Sequence, residues 1–332
     1  MAPDTGHDAL AASAMATSQE SAGPPTSRAM PEPTTRVKVS DKDRLDVWVA
    51  GEGAPVVLIH GAMTRDLLKP LMDELVNKDR YQVIHYGRRG HGGHGLPGET
   101  ADIPGQAADV VSILDVLGLD KAHVAGHSFG AYIALELATQ APDRLLSAVL
   151  LEPPLAQAQT EVVQQALKEL AEVAMPLVVD KYTSGNADGA VTAFLDFTSG
   201  VQDAVELIEP ALPEGARALA AADLNTWLQA DLPAMGSWMA DPAAVMQLTT
   251  PIVWIGGAES PPFFADSRAL VQQWRPAMKA ATIVGAGHYF PVLKPAETAT
   301  ALDELLGSEA PTGRRELRPA LPRMGPSGTP GS

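Results

Sequence analysis

A mostly parallel β-sheet with helices on both faces is predicted by three features of the sequence. Short apolar runs of β type recur along the chain: VWVA (47–50), PVVLIHG (55–61), YQVIHYG (81–87), KAHVAGH (121–127), LLSAVLLE (145–152), PIVWIGG (251–257) and MKAATIVGAGH (278–288). Helical patterns lie between most of them, at 66–78, 103–117, 130–140, 262–274 and 295–306. The strand runs are apolar throughout rather than alternating, as expected of strands covered on both sides. One interval, 155–248, breaks the rhythm and holds only helical stretches rich in Ala, Leu and Met.

Taken from the N-terminus, residues 1–35 are rich in Ala, Ser, Thr and Pro without periodicity, and are expected to form a disordered arm. Residues 36–154 and 249–307 supply the alternating strands and helices of a core domain. Residues 155–248 form a helical insertion expected to cap one end of the sheet, and 308–332 read as a second disordered tail. Within the insertion, Trp227, Met235, Trp238 and Met239 are of the type that packs helices together, and Asp241-Pro242 reads as a turn or helix start.

Composition narrows the function. The 332 residues carry 24 Lys+Arg against 40 Asp+Glu, a net charge of −16, and no basic cluster exceeds the pairs Arg88-Arg89 and Arg314-Arg315. Nucleic acid and anionic membrane are therefore poor partners. There is no cysteine, which excludes disulfides, thiolate metal sites and a cysteine nucleophile. The N-terminus lacks a basic start and a continuous apolar stretch, so a cytoplasmic protein is expected. His91 and His94 in RGHGGHG are spaced like a metal pair, but the segment holds no carboxylate, and loop histidines are the better reading.

The chemistry concentrates at Gly126-His127-Ser128-Phe129-Gly130, which joins the strand at 121–125 to the helix AYIALELATQ. In a chain with 29 glycines the Gly-x-Ser-x-Gly pattern alone is weak; the strand–turn–helix context strengthens it. A serine on so sharp a turn presents its hydroxyl above the sheet, and flanking glycines let strand and helix approach. The helix N-terminus behind it favours developing negative charge. His60-Gly61-Ala62-Met63 ends another strand, where backbone N–H groups can face the same cleft. His288, in the Gly-rich loop after the last strand, fits a general base better than a lone structural histidine, and a nucleophile–acid–histidine order suits a serine on such an elbow.

These motifs, HGAM (60–63), GRRGHG (87–92), GHSFG (126–130) and GAGHYFP (285–291), make the chain resemble the α/β-hydrolase fold family with a helical cap, over about residues 37–307. The resemblance implies Ser128 as nucleophile, His288 as base, and the backbone N–H groups of Ala62 and Phe129 as an oxyanion hole, with no cofactor and no metal. It implies a small-molecule substrate, an ester or thioester with an apolar acyl or alkyl portion. Related folds also perform C–C cleavage, lyase, cyclase or haloperoxidase chemistry, and a non-catalytic ligand-binding module is a further alternative.

The chain departs from the family in three places. Gly87 stands where many members carry aspartate, and His94 where many carry serine, which implies an altered loop. At the commonest position of the acid that orients the histidine stands Ser260, which cannot supply a charge. Two glutamates remain. Glu259 is one residue away. Glu152 ends LLSAVLLE, where some members place their acid, at the carboxyl edge where open α/β sheets build sites. Glu152 is preferred, and Glu259 stays open as the alternative acid.

Overall fold

The computed structural model describes residues 29–98 and 101–307. The disordered arm expected for 1–35 lies outside the described residues as far as position 28, as does the whole expected tail. The last residues of that arm are tied to the core: Trp48 Nε1 donates to the Pro31 carbonyl at 2.7 Å, and the Val49 N–H donates to Thr34 Oγ1 at 3.0 Å.

Eight strands pair in the order β1-β2-β4-β3-β5-β6-β7-β8. They are β1 (Thr35–Lys38), β2 (Arg44–Ala50), β3 (Ala54–Ile59), β4 (Tyr81–Tyr86), β5 (Ala122–His127), β6 (Leu145–Leu151), β7 (Ile252–Gly257) and β8 (Lys279–Ile283). Pairing is antiparallel between β1 and β2 and between β2 and β4, and parallel elsewhere. Strand side chains alternate between two cores, one per face. Val56 and Leu58 enter the core beneath α1 (Lys69–Val76) and α12 (Pro295–Leu306). Val57 and Ile59 enter the core beneath α2 (Ile103–Val116), α3 (Phe129–Gln140) and α11 (Phe263–Trp274). Because both faces are covered, both parities of each strand must be apolar, and that is the unbroken pattern of the sequence.

The pattern missed β1 and the first half of β2. These form the edge of the sheet, where TRVK and RLD carry one apolar residue each and an Arg36–Asp46 pair bridges the two strands at 2.7 Å. Run 278–288 is strand only to Ile283; the rest is the loop that carries His288.

Between β6 and β7 the described residues form helices and turns without a strand. The longer helices are α4 (Glu161–Glu169), α5 (Met175–Thr183), α6 (Ala187–Ser199) and α8 (Ala216–Thr226). Shorter ones are α7 (Ala204–Ile208), α9 (Leu232–Ser237) and α10 (Pro242–Gln247), the last capped by the Asp241 carboxylate as its Asp-Pro start suggested. Two π-helical segments, Leu170–Ala174 and Trp227–Asp231, connect α4 to α5 and α8 to α9. Each is followed two residues on by a proline, Pro176 or Pro233. Proline lacks an N–H and crowds the carbonyl four residues back, and the wider π turn relieves that conflict without ending the helix.

Candidate active site

Six loops leave the carboxyl edge of the parallel strands, and the predicted site residues, the alternative acid Glu259 included, sit on five of them. After β5 the chain reverses through Ser128 at φ +53° and ψ −116°, a conformation strained for a residue with a Cβ. The turn is held by the Ser128 N–H donating to the Leu151 carbonyl at 2.8 Å. The approach is so close that a Cβ on Gly126 would lie 2.0 Å from the Gly130 carbonyl oxygen. One on Gly130 would lie 2.3 Å from that of Ile59. Both glycines are therefore needed by sterics, with the strain concentrated on the serine between them.

His288 lies in the loop after β8, buried, with Phe264 stacked 4.3 Å from its ring and His127 at 4.6 Å. Its Nδ1 is 2.8 Å from Glu152 Oε2. Glu152 directly follows β6, at φ +55°, and is itself buried. Its Oε1 accepts from the Gly257 N–H at 2.8 Å, and its Oε2 also accepts from Ser260 Oγ at 2.9 Å. The serine at the expected acid position thus donates to the carboxylate that faces the histidine. A Cβ at Gly256 would lie 2.8 Å from Glu152 Oε1, so that glycine makes room for the acid. Glu259 is exposed, and its backbone N–H donates to Ala286.

Burial pushes the Glu152 carboxyl up to about 7, against the Ser260 and Gly257 donors that favour its charged form. Burial likewise pushes His288 down to about 3. The resting imidazole is therefore neutral. With its Nδ1 proton directed at Glu152, its other nitrogen is left to accept one.

Ser128, His288, Ala62 and Phe129 line one cavity beneath the helical insertion, with an empty volume of about 730 Å³, mouth included. Phe129 is the first residue of α3, so its N–H has no acceptor within the helix. The remaining wall is almost wholly apolar, built from Leu155, Val163, Leu167, Leu170, Phe194 and Phe263 among others. Trp227 and Met235, of the type that packs helices together, line it as well. Trp238 does pack: it crosses Tyr132 edge-on at 5.0 Å and donates to Glu136, while Met239 is exposed.

The GRRGHG loop serves as a seat for the insertion. Asp223 accepts from the N–H groups of Gly92 and Gly93 at 2.8 and 2.9 Å, and Thr226 donates to the Gly90 carbonyl at 2.9 Å. Arg89 is bound to Asp109 at 2.6 Å. Arg88 is buried and reaches across to Asp231. Both ring nitrogens of His91 face oxygens, of Arg89 at 3.1 Å and Asp231 at 3.2 Å. His94 lies on the surface against Asp46. Among the described residues no cluster of three or more His, Asp or Glu is arranged to hold a metal ion. Sequence reasoning missed Asp223, Thr226 and Asp231; the one available signal was a lone aspartate in the apolar stretch around 231.

A strained serine between strand and helix, a buried histidine beside a carboxylate, and an eight-stranded sheet of this order define a hydrolase-type α/β architecture. Residues 56–301 match the family described as the alpha/beta hydrolase family, and the chain belongs to it. It is similar to 2-(acetamidomethylene)succinate hydrolase of Mesorhizobium japonicum, 23% identical over 268 residues, covering 79% of this chain and 91% of that protein. A protein of Azorhizobium caulinodans provisionally named carbamate hydrolase RutD is 36% identical over 100 residues, 30% of this chain and 37% of the relative. Six further curated relatives are likewise spanned only in part, over 26–59% of their length. A crystal structure of a bacterial membrane phospholipase A superposes with a TM-score of 0.65 at 21% identity, covering 83% of this chain and 85% of that one. This likeness is one of fold.

Proposed function

We propose that the protein is a serine hydrolase acting on a carboxylic ester or thioester with an apolar acyl or alkyl portion. The observation that carries the reading is the single cavity shared by Ser128 and His288, with His288 Nδ1 at 2.8 Å from a buried carboxylate. In this reading Ser128 Oγ attacks the acyl carbon while His288 takes its proton. The oxyanion is received by the N–H groups of Ala62 and Phe129, and the leaving group takes the proton back from His288. Glu152 keeps the imidazole in the tautomer that can accept and stabilises the imidazolium formed. Water then repeats the sequence on the acyl-enzyme. Residues 155–248 act as the cap over the core at 36–154 and 249–307, and their apolar side chains receive the hydrocarbon part of the substrate.

Two measurements test this. Ser128→Ala is expected to abolish both turnover of p-nitrophenyl esters and labelling by a fluorophosphonate; undiminished labelling of that variant removes the assignment. In the wild type, kcat/KM is expected to rise from acetate to hexanoate esters, since each buried methylene contributes about 0.8 kcal/mol. A flat or falling series removes the apolar acyl site.

A further inference from the structure

We propose that Arg88 is a positioning residue for the oxyanion hole, held in that role by Asp231 of the helical insertion. The inference rests on the reading of Ser128 and Ala62 given above. Arg88 occupies the second position of GRRGHG, and its side chain is 1% exposed. Its Nη2 donates to the Gly61 carbonyl at 2.9 Å, and Nη1 donates to Gln106 Oε1 at 2.8 Å. The two nitrogens together grip both oxygens of Asp231, at 2.9 and 2.7 Å. The guanidinium carbon stands 4.3 Å from the centroid of the Phe129 ring. One cation therefore touches both strand-end segments whose N–H groups are the proposed oxyanion donors.

The Gly61 carbonyl belongs to the same peptide as the Ala62 N–H. In a planar trans peptide the two groups point in opposite directions, so whatever holds the oxygen aims the N–H. Two donors hold it here. Arg88 N–H donates to His60 Nε2 at 3.1 Å, so His60 carries its proton on Nδ1 and gives it to the Gly61 oxygen at 2.8 Å. The second donor is the charged Arg88 Nη2. A charge-assisted bond at the oxygen draws density from the amide nitrogen, so the N–H becomes both better aimed and a stronger donor. A fully buried guanidinium–carboxylate pair is costly to desolvate, and an apolar pair of similar volume commonly packs as well. Contact with the oxyanion peptide gives this pair a role that packing does not require. Asp231 sits in the π segment after α8, so the seating of the insertion and the aim of the Ala62 N–H depend on one contact.

The test replaces the pair together, Arg88→Met with Asp231→Leu, to leave no uncompensated buried charge, and separately makes Arg88→Lys. Steady-state kinetics on a p-nitrophenyl ester and its thionoester are compared with fluorophosphonate labelling and thermal melting. The double variant is expected to melt near the wild type, keep KM within about twofold and lose on the order of 10–100-fold in kcat on the ester. The thionoester, whose developing sulfur anion gains less from the N–H donors, is expected to lose far less. Arg88→Lys should show the same oxygen-to-sulfur signature at smaller size. Wild-type kcat in the double variant, or equal losses on both substrates in either variant, overturns the role of Arg88. A wild-type protein whose Ser128 is never labelled overturns the serine-hydrolase reading itself, and the inference with it.

Discussion

In the proposed reading, Glu152 and Ser260 together do what was expected of a single aspartate at position 260. The carboxylate approaches His288 from the end of β6, and the serine steadies it from the loop after β7. Glu152→Gln is expected to cost orders of magnitude in kcat with the fold retained, because the amide can hold the wrong imidazole tautomer, whereas Glu259→Gln on an exposed side chain should stay near wild type. The reverse ranking, read from kcat, moves the acid to Glu259. Burial raises Glu152 to about 7, so the acid limb of kcat/KM should fall near that pH as the carboxylate is protonated. Ser260→Ala removes a donor that favours the charged form, and the limb is expected to move to higher pH. A limb unmoved or lowered in that variant excludes the positioning role of Ser260.

At the scale of elements, the junction of β5 and α3 stores strain in Ser128 that the glycines around it cannot absorb. Ser128→Gly is expected to be more stable than Ser128→Ala by about 1 kcal/mol, since glycine populates φ +53° without the Cβ penalty. Both variants are expected to lack activity, so chemical denaturation is the measurement, and equal midpoints would show that the turn carries no strain. The elbow was legible because it is local: strand, Gly-x-Ser-x-Gly and helix are contiguous in sequence. So were the core helices, whose sequence ranges and observed bounds differ by a few residues. The edge strand β1 was not legible, since one exposed face and one paired edge leave it with a single buried side chain, Val37. The roles of the insertion's side chains were hidden for a related reason. Facing the cavity and facing a neighbouring helix require the same apolar residues.

Five histidines, His60, His85, His123, His127 and His288, are held below their ordinary pKa, in each case chiefly by burial. The folded molecule keeps them neutral while the unfolded chain protonates them below about pH 6.5, so folding stability is present above that pH and lost as pH falls. Each site can contribute up to ~1.4 kcal/mol per pH unit. The window runs from about 6.5 down to about 4 for His85 and His123, and to about 3 for His127 and His288. Glu152 acts with the opposite sign: its raised pKa favours the folded state at low pH, and that contribution is lost as pH rises through about 7. Asp109, whose carboxyl burial also pushes up, acts in the same direction as Glu152; five sites outweigh two, and Tm is expected to drop steeply between pH 7 and pH 5. A Tm that is level or rises on acidification contradicts this balance. Among the described residues, no helix is long and apolar enough to cross a membrane.

What the sequence determined by itself was whatever depends on neighbours in the chain: apolar periods, the Gly-x-Ser-x-Gly turn, the order of strands and helices, and the nomination of Ser128, His288 and two possible acids. Which glutamate meets His288 was a tertiary matter. Glu152 and Glu259 differ by one strand of the sheet, and only the pairing of β6 with β7 brings the first within 2.8 Å. The same holds for Arg88, whose ion-pair partner lies 143 positions away in the chain. A buried charge is stable only where its counter-charge is delivered, and that delivery is decided by packing between distant segments.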